Sequence, residues 1–242
     1  MVSFLVACFN EEKNILATVE EIKKTCNKCQ INSYEIIVVD DKSSDKSKDI
    51  VKNYIKRSNQ NNIRLLTNRV NLGYGGSVKK AIKYSKKEFV IWVPGDNAHK
   101  EKELSKILKY IGQYDIISTF YTNTGTRNKF RKIFTEIYTP ILNFFFNLNI
   151  PYYNGVTLIR KSIFDRISIF TNSHNFSVEM WVKIKFLKNI KIKFVPTLLD
   201  ERIKGANAFR LKNSIKVLFN TIRLILYYQL FWFFKKFILK NK

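Results

Sequence analysis

Residues 2–8 form an unbroken apolar run, as expected of a strand buried on both faces of a parallel sheet. Asn10-Glu11-Glu12 then opens a stretch in which Ile15, Leu16, Val19 and Ile22 recur at helical spacing, predicting a helix to about Lys24. A second apolar run, Tyr34 to Val39, closes on Asp40-Asp41, and Ser43-Ser44-Asp45 caps a helix to about Arg57. Further strands are predicted at Ile63–Thr67 and Glu88–Val93, with a helix between them that starts at Gly73, Gly75 and Gly76 and ends near Ser85. Pro94-Gly95-Asp96 stops the last of these strands.

Beyond Arg127 the texture changes. Arg127–Leu148 begins basic and becomes strongly aromatic, with Phe144-Phe145-Phe146 near its end. Strands are predicted near Asn154–Arg160 and Ile190–Val195, with a helix near Ser177–Leu187. From Leu211 to Leu239 the chain is apolar and helical in pattern. Strands alternating with helices imply an α/β fold with a mostly parallel sheet covered on both faces. Ligands of such sheets bind beyond the carboxyl ends of the strands, and those ends carry Phe9-Asn10-Glu11, Asp40-Asp41 and Asp96.

Each of these groups has a chemical and a structural reading. The paired aspartates suit ribose hydroxyls or a base N–H, or they cap the next helix. Asp96 suits a divalent cation on a diphosphate, or it closes a Pro-Gly turn. Asn71-Leu72-Gly73-Tyr74-Gly75-Gly76 lets a backbone approach an anion at a helix start, yet it is neither a dinucleotide fingerprint nor a Walker loop.

Composition narrows the classes. Lysine and arginine number 43 against 19 acidic residues, a formal charge of +24 that draws anionic partners without choosing among them. Nucleic acid is disfavoured, because no helix-turn-helix, zinc or RNA-binding signature is present and the strand-end acids would repel phosphates. The three cysteines, Cys8, Cys26 and Cys29, and an N-terminus that reads as strand rather than signal peptide point to a reducing, cytoplasmic setting. Cys26 and Cys29 have CxxC spacing but lack the second ligand pair of a zinc site. His99 is expected to be exposed.

Taken in order, these segments resemble the family 2 glycosyltransferases of the Rossmann-like GT-A fold. Val6 to Glu12 is similar to the family's opening strand and P-x-Y-N-E-E segment, Val38 to Asp45 to V-D-D-G-S-x-D, and Asn71 to Gly76 to its N-x-G-x-G helix start. Asp96 falls where the D-x-D motif ends. Gly125-Thr126-Arg127, Arg131-Lys132, Asn154 to Arg160, Glu179 and Arg202 to Asn207 resemble dolichol-phosphate mannose synthases and bacterial polyprenyl-phosphate sugar transferases. The chain departs from the pattern at Ala7, Lys42, Pro94, Ala98 and Asn207.

The resemblance implies a nucleotide-sugar site, for a UDP- or GDP-linked donor, built from Ala7, Phe9, Asn10, Glu11, Asp40, Asp41, Gly73, Gly75 and Asp96. Within it Glu11 and Asp41 would contact base and ribose, and Asp96 would hold Mg²⁺ or Mn²⁺. Arg127, Arg131 and Arg202 would gather phosphates. Glu179 would serve as base if the acceptor were a hydroxyl, or else pair with a lysine. The implied reaction is inverting sugar transfer to polyprenyl phosphate at the cytoplasmic membrane face; the alternative is a saccharide hydroxyl in surface-glycan assembly.

Two units are expected: a catalytic domain over 1–210, with an interfacial helix at about 127–148, and a basic, apolar helix over 211–242. Val217–Phe234 is interrupted by Asn220, Arg223 and Gln229, so a membrane-surface helix is preferred to a span. Lys216, Asn220, Arg223 and Tyr227 share one face, and Lys235, Lys236, Lys240 and Lys242 suit an anionic membrane surface. The competing expectation is a pair of helices packed in a soluble dimer.

Overall fold

The computed structural model describes residues 1–58, 60–122, 129–198 and 217–229, with 129–135 as helical backbone only. Seven strands form one sheet: β1 (Val2–Cys8), β2 (Tyr34–Asp40), β3 (Ile63–Thr67), β4 (Phe89–Pro94), β5 (Ile116–Tyr121), β6 (Thr157–Arg160) and β7 (Ile192–Thr197), ordered β3-β2-β1-β4-β6-β5-β7. All neighbours pair in parallel except β6, which runs antiparallel to both β4 and β5. The sheet is therefore mostly parallel, as expected, with one reversed strand that an apolar run alone does not reveal.

One face is covered by α1 (Ile15–Lys28), α2 (Ser47–Ser58) and α4 (Glu101–Leu108), the other by α3 (Gly73–Tyr84), α5 (Lys129–Phe146) and α6 (Phe176–Ile184). A last helix, α7, covers residues 217–229 and packs on α5 and α6. The continuous apolar strands follow from this double cover. Phe4, Val6, Ile36 and Ile91 point to one layer, while Leu5, Ile37, Val39 and Trp92 point to the other.

Two boundaries depart from the pattern reading. Residues 10–14 are not helical: Asn10 sits at φ 57°, and α1 starts at Ile15. The acidic residues there are used to lace two loops together. The other departure is α4 and β5, which fill the stretch between Asp96 and Arg127 where no element stands out from the sequence.

Because β6 alone is reversed, the ends of β1, β2, β3, β4, β5 and β7 and the start of β6 all lie on one edge. Cys8, Asp40, Thr67, Pro94, Tyr121 and Thr197 mark it.

Candidate functional site

Two loops build the first wall of this edge by exchanging hydrogen bonds. After β1, the Asn10, Glu11 and Glu12 N–H groups donate to Ser43 Oγ, Ser47 Oγ and Asp45 Oδ2 at 3.0, 2.8 and 3.0 Å. In return Asn10 Oδ1 accepts from Ser44 N–H at 2.8 Å and Glu12 from Lys46 N–H at 3.1 Å. Asp45 therefore spans both loops, since its Oδ1 also accepts Ser47 N–H at the start of α2. Lys42 lies between them at φ 61°, a left-handed conformation that a glycine adopts without strain.

Asp40 and Asp41 are both buried, with opposite surroundings. Asp41 accepts from Asn68 Nδ2 and Leu72 N–H at 2.7 Å through Oδ1, and from Gly73 N–H at 2.8 Å through Oδ2. Its carboxylate thus caps α3. Asp40 keeps Oδ1 without a hydrogen-bond partner among the described residues, and Oδ2 takes only a long 3.4 Å contact from Ser43 N–H. A buried carboxylate oxygen left bare is costly unless a ligand meets it. The resemblance implies Asp41 on the ligand with Asp40 close by, and the hydrogen bonds differ between the two. The Asp41 carboxylate is occupied by the protein, and Asp40 has an oxygen free.

The glycines of α3 face another segment rather than solvent. A Cβ on Gly73, which sits at φ 77°, would lie 2.7 Å from Asn172 O, and one on Gly75 would lie 2.8 Å from Ser173 O. Gly76 N–H donates to Asn172 O, and Tyr74 stacks on His174 with centroids 5.2 Å apart. Burial raises the Tyr74 phenol, helped by the Asp96 charge, so this ring is close enough to feel that carboxylate. Tyr74 lies inside the glycine segment, where the sequence singled out only its neighbours.

Asp96 occupies the turn after β4. The turn is pinned by Gly95 N–H donating to Ala7 O at 2.9 Å, by Thr18 Oγ donating to Gly95 O, and by Asn97 N–H donating to Thr18 Oγ at 3.0 Å. Ala7 thus acts through its carbonyl, while Phe9 is half exposed. Asp96 Oδ1 accepts Ala98 N–H at 3.1 Å. Glu11, bonded to Asn14 Nδ2 at 2.8 Å, is raised by burial and then by the charges of Asp96 and Asp45. Among the described residues none of Glu11, Asp40, Asp45 or Asp96 pairs with a lysine or arginine. Among the described residues the edge therefore gathers acidic side chains without a paired cation.

His99 is not exposed as expected. Its side chain is 11% accessible, with Nδ1 2.8 Å from Oε2 of buried Glu103. Burial pushes the Glu103 carboxyl up, but bonds and charge from His99, then Thr119 and Tyr121, outweigh it and hold the group below its ordinary value. The i, i+4 spacing of His99 and Glu103 is the sequence signal for this pair.

Glu179 is 2% exposed and fully engaged, accepting from Phe170 N–H at 3.0 Å, Thr171 N–H at 2.8 Å and Lys183 Nζ at 2.6 Å. It anchors the segment that packs on Gly73 and Gly75, and Lys183 is the lysine partner of the alternative reading. Arg127 and Arg202 lie outside the described residues, and of Arg131 only the backbone is described.

The glycosyl transferase family 2 model matches residues 3–168. A dolichyl-phosphate β-glucosyltransferase of Trichomonas vaginalis is 25% identical over 247 residues, covering 94% of this chain and 71% of that protein. A Dictyostelium discoideum dolichyl-phosphate β-glucosyltransferase is 32% identical over 109 residues, 43% of this chain and 33% of its own length. In fold, mannosyl-3-phosphoglycerate synthase from Rubrobacter xylanophilus superposes with a TM-score of 0.72 at 13% identity, covering 95% of this chain and 75% of that one. Glucosyl-3-phosphoglycerate synthase from Mycobacterium tuberculosis, solved with Mn²⁺, UDP and phosphoglyceric acid, gives 0.58 at 15% identity over 85% and 72% of the two chains.

Proposed function

We propose, from the premise that this chain belongs to glycosyl transferase family 2 and is a glycosyltransferase, that it moves a sugar from a UDP- or GDP-linked donor to polyprenyl phosphate. The observation that carries the donor half is the strand-end edge, where Asp40 keeps a buried oxygen unpaired among the described residues and Glu11 and Asp96 stand close to each other. Asp40 would take a ribose hydroxyl or base N–H, and Glu11 would accept from the same nucleoside.

Asp96 would hold the cation. The donor set is oxygen-rich, as Mg²⁺ and Mn²⁺ require, and the unpaired acids would otherwise repel a diphosphate. When bound, a divalent cation would supply charge to the leaving diphosphate. A manganese ion is present in the Mycobacterium tuberculosis neighbour, which supports the reading.

The acceptor half rests on two supports. The Trichomonas and Dictyostelium relatives carry dolichyl phosphate in their names. Glu179, the candidate base for a hydroxyl acceptor, has both oxygens bonded. A phosphate oxygen needs no base: it attacks the anomeric carbon as the bond to the diphosphate breaks on the opposite face, and configuration inverts. Arg127, Arg131 and Arg202 are proposed to gather the acceptor and donor phosphates. Domain limits of 1–210 and 211–242, and residence on the cytoplasmic membrane face, belong to the same proposal.

Labelled UDP- and GDP-sugars incubated with membranes containing the protein should give a lipid-soluble, mild-acid-labile product. Failure across both donor classes, or label appearing only in elongated glycan, overturns the polyprenyl-phosphate reading.

A further inference from the structure

The turn after β4 holds a second polar side chain to which the donor pocket gives no task. His99 stands three residues beyond Asp96, and its Nδ1 is fixed by Glu103 Oε2 at 2.8 Å. Glu103 is held in turn, because its other oxygen accepts from Thr119 Oγ at 3.0 Å, and that hydroxyl also accepts Val156 N–H. The Thr119 backbone lies close against Gly155, where a Cβ would fall 1.9 Å from Thr119 O. Three elements therefore converge to orient one imidazole.

In the neutral imidazole, a carboxylate on Nδ1 makes that nitrogen the donor and leaves Nε2 with the lone pair. Among the described residues Nε2 takes no hydrogen bond. Histidines that bind metal ions have this arrangement, with the second ring nitrogen donating to a carboxylate. Near Asp96, Pro94 and Ala98 offer no donor side chain, and Asn97 offers one neutral oxygen, Oδ1, which is buried and without a hydrogen-bond partner among the described residues.

Resting on the donor-site reading above, we propose that His99 Nε2 is the second protein ligand, beside Asp96, of the divalent cation on the donor diphosphate, with Glu103 as its positioning residue. Diphosphate oxygens and water complete the shell. One carboxylate and one imidazole favour Mn²⁺ over Mg²⁺, which prefers an all-oxygen environment.

The test is Mn²⁺ titrated into the full chain with UDP, and separately with GDP, followed by continuous-wave and pulsed electron paramagnetic resonance. Bound Mn²⁺ should show the ¹⁴N coupling of a directly coordinated imidazole. His99→Ala should remove it and weaken Mn²⁺ binding about 10- to 100-fold. His99→Gln, which keeps a partner for Glu103, should also lose the coupling while melting like the wild type. His174→Ala should retain the signal, and His99 and His174 are the only histidines. Mn²⁺ bound with a nucleotide but lacking the ¹⁴N coupling, or binding unaltered in both His99 variants, overturns this proposal and leaves the donor site standing. No Mn²⁺ binding with either nucleotide overturns both.

Discussion

Asp40 and Asp41 end the same strand, and their hydrogen bonds divide them between ligand and protein. Asp41→Asn would set an amide against the N–H donors of Asn68, Leu72 and Gly73. The variant should lose about 1–3 kcal/mol of stability, read from urea unfolding. Asp40→Asn removes a buried charge whose one protein donor among the described residues is the long contact from Ser43 N–H. It should melt no lower than the wild type yet bind UDP or GDP roughly 10- to 100-fold more weakly by calorimetry, the worth of a hydrogen bond to a charged group. Equal losses of stability and affinity in the two variants would refute the division. The sequence exposed the pair but not which member faces outward, because that depends on Asn68 and Gly73, about 30 residues away. Lys42 is a parallel case: its departure from a glycine pattern is readable, whereas its φ of 61° is not.

Among the elements, β1, β2, β3 and the approach to β4 are clamped at the edge opposite the site. Glu35 on β2 accepts from Ser3 Oγ of β1 at 2.7 Å, Lys86 N–H at 2.6 Å and Arg64 Nη2 of β3 at 2.6 Å. Burial raises the Glu35 carboxyl, but these three donors outweigh it and hold it below the ordinary 4.5. A depressed carboxyl contributes stability that is complete above its unfolded value and is lost as pH falls towards the folded one. Unfolding free energy should therefore drop as pH is lowered below about 4.5, and Glu35→Gln should flatten part of that slope while costing about 1–3 kcal/mol at neutral pH. A slope unchanged by the substitution would rule out Glu35 as a contributor. Strands β1 to β4 and helices α2 and α3 were legible because buried parallel strands are apolar over most of their length and their helices are amphipathic. The reversal of β6 was not, since a four-residue strand with only Leu158 and Ile159 apolar carries no direction in its pattern. Residues 10–14 misled because Asn-Glu-Glu suits a helix start equally well as a loop that bonds Ser43, Asp45 and Ser47.

At the scale of the molecule, α5 and α7 present an apolar outer surface. Ile137, Ile141, Phe144 and Phe145 line α5, and Leu218, Phe219, Ile222 and Leu226 line α7. No helix among the described residues is long and apolar enough to cross a membrane. Of the expected polar face Arg223 and Tyr227 are exposed and Asn220 is half-buried, while Lys216 lies outside the described residues; the packed side carries Thr221 and Tyr228. Thr221 Oγ meets Tyr138 at 2.9 Å and Asn175 Nδ2 at 2.7 Å, while Tyr228 stands edge-on to Phe146. That inner side is thus committed to the domain, leaving the outer stripes for another surface. With a net +24 and lysines at 235, 236, 240 and 242, an anionic bilayer surface fits both chemistries, and a lipid-borne acceptor would be met there. The protein should sediment with vesicles containing phosphatidylglycerol, less so as salt rises, and poorly with phosphatidylcholine alone. Replacing Phe144 and Phe219 together by Asp should cut partitioning at least about tenfold, because each aromatic contributes about 1.5–3 kcal/mol when buried. Wild-type sedimentation by this variant would exclude the apolar stripes from lipid contact. Conversion of a dimer to a monomer would identify them as the seam between two copies.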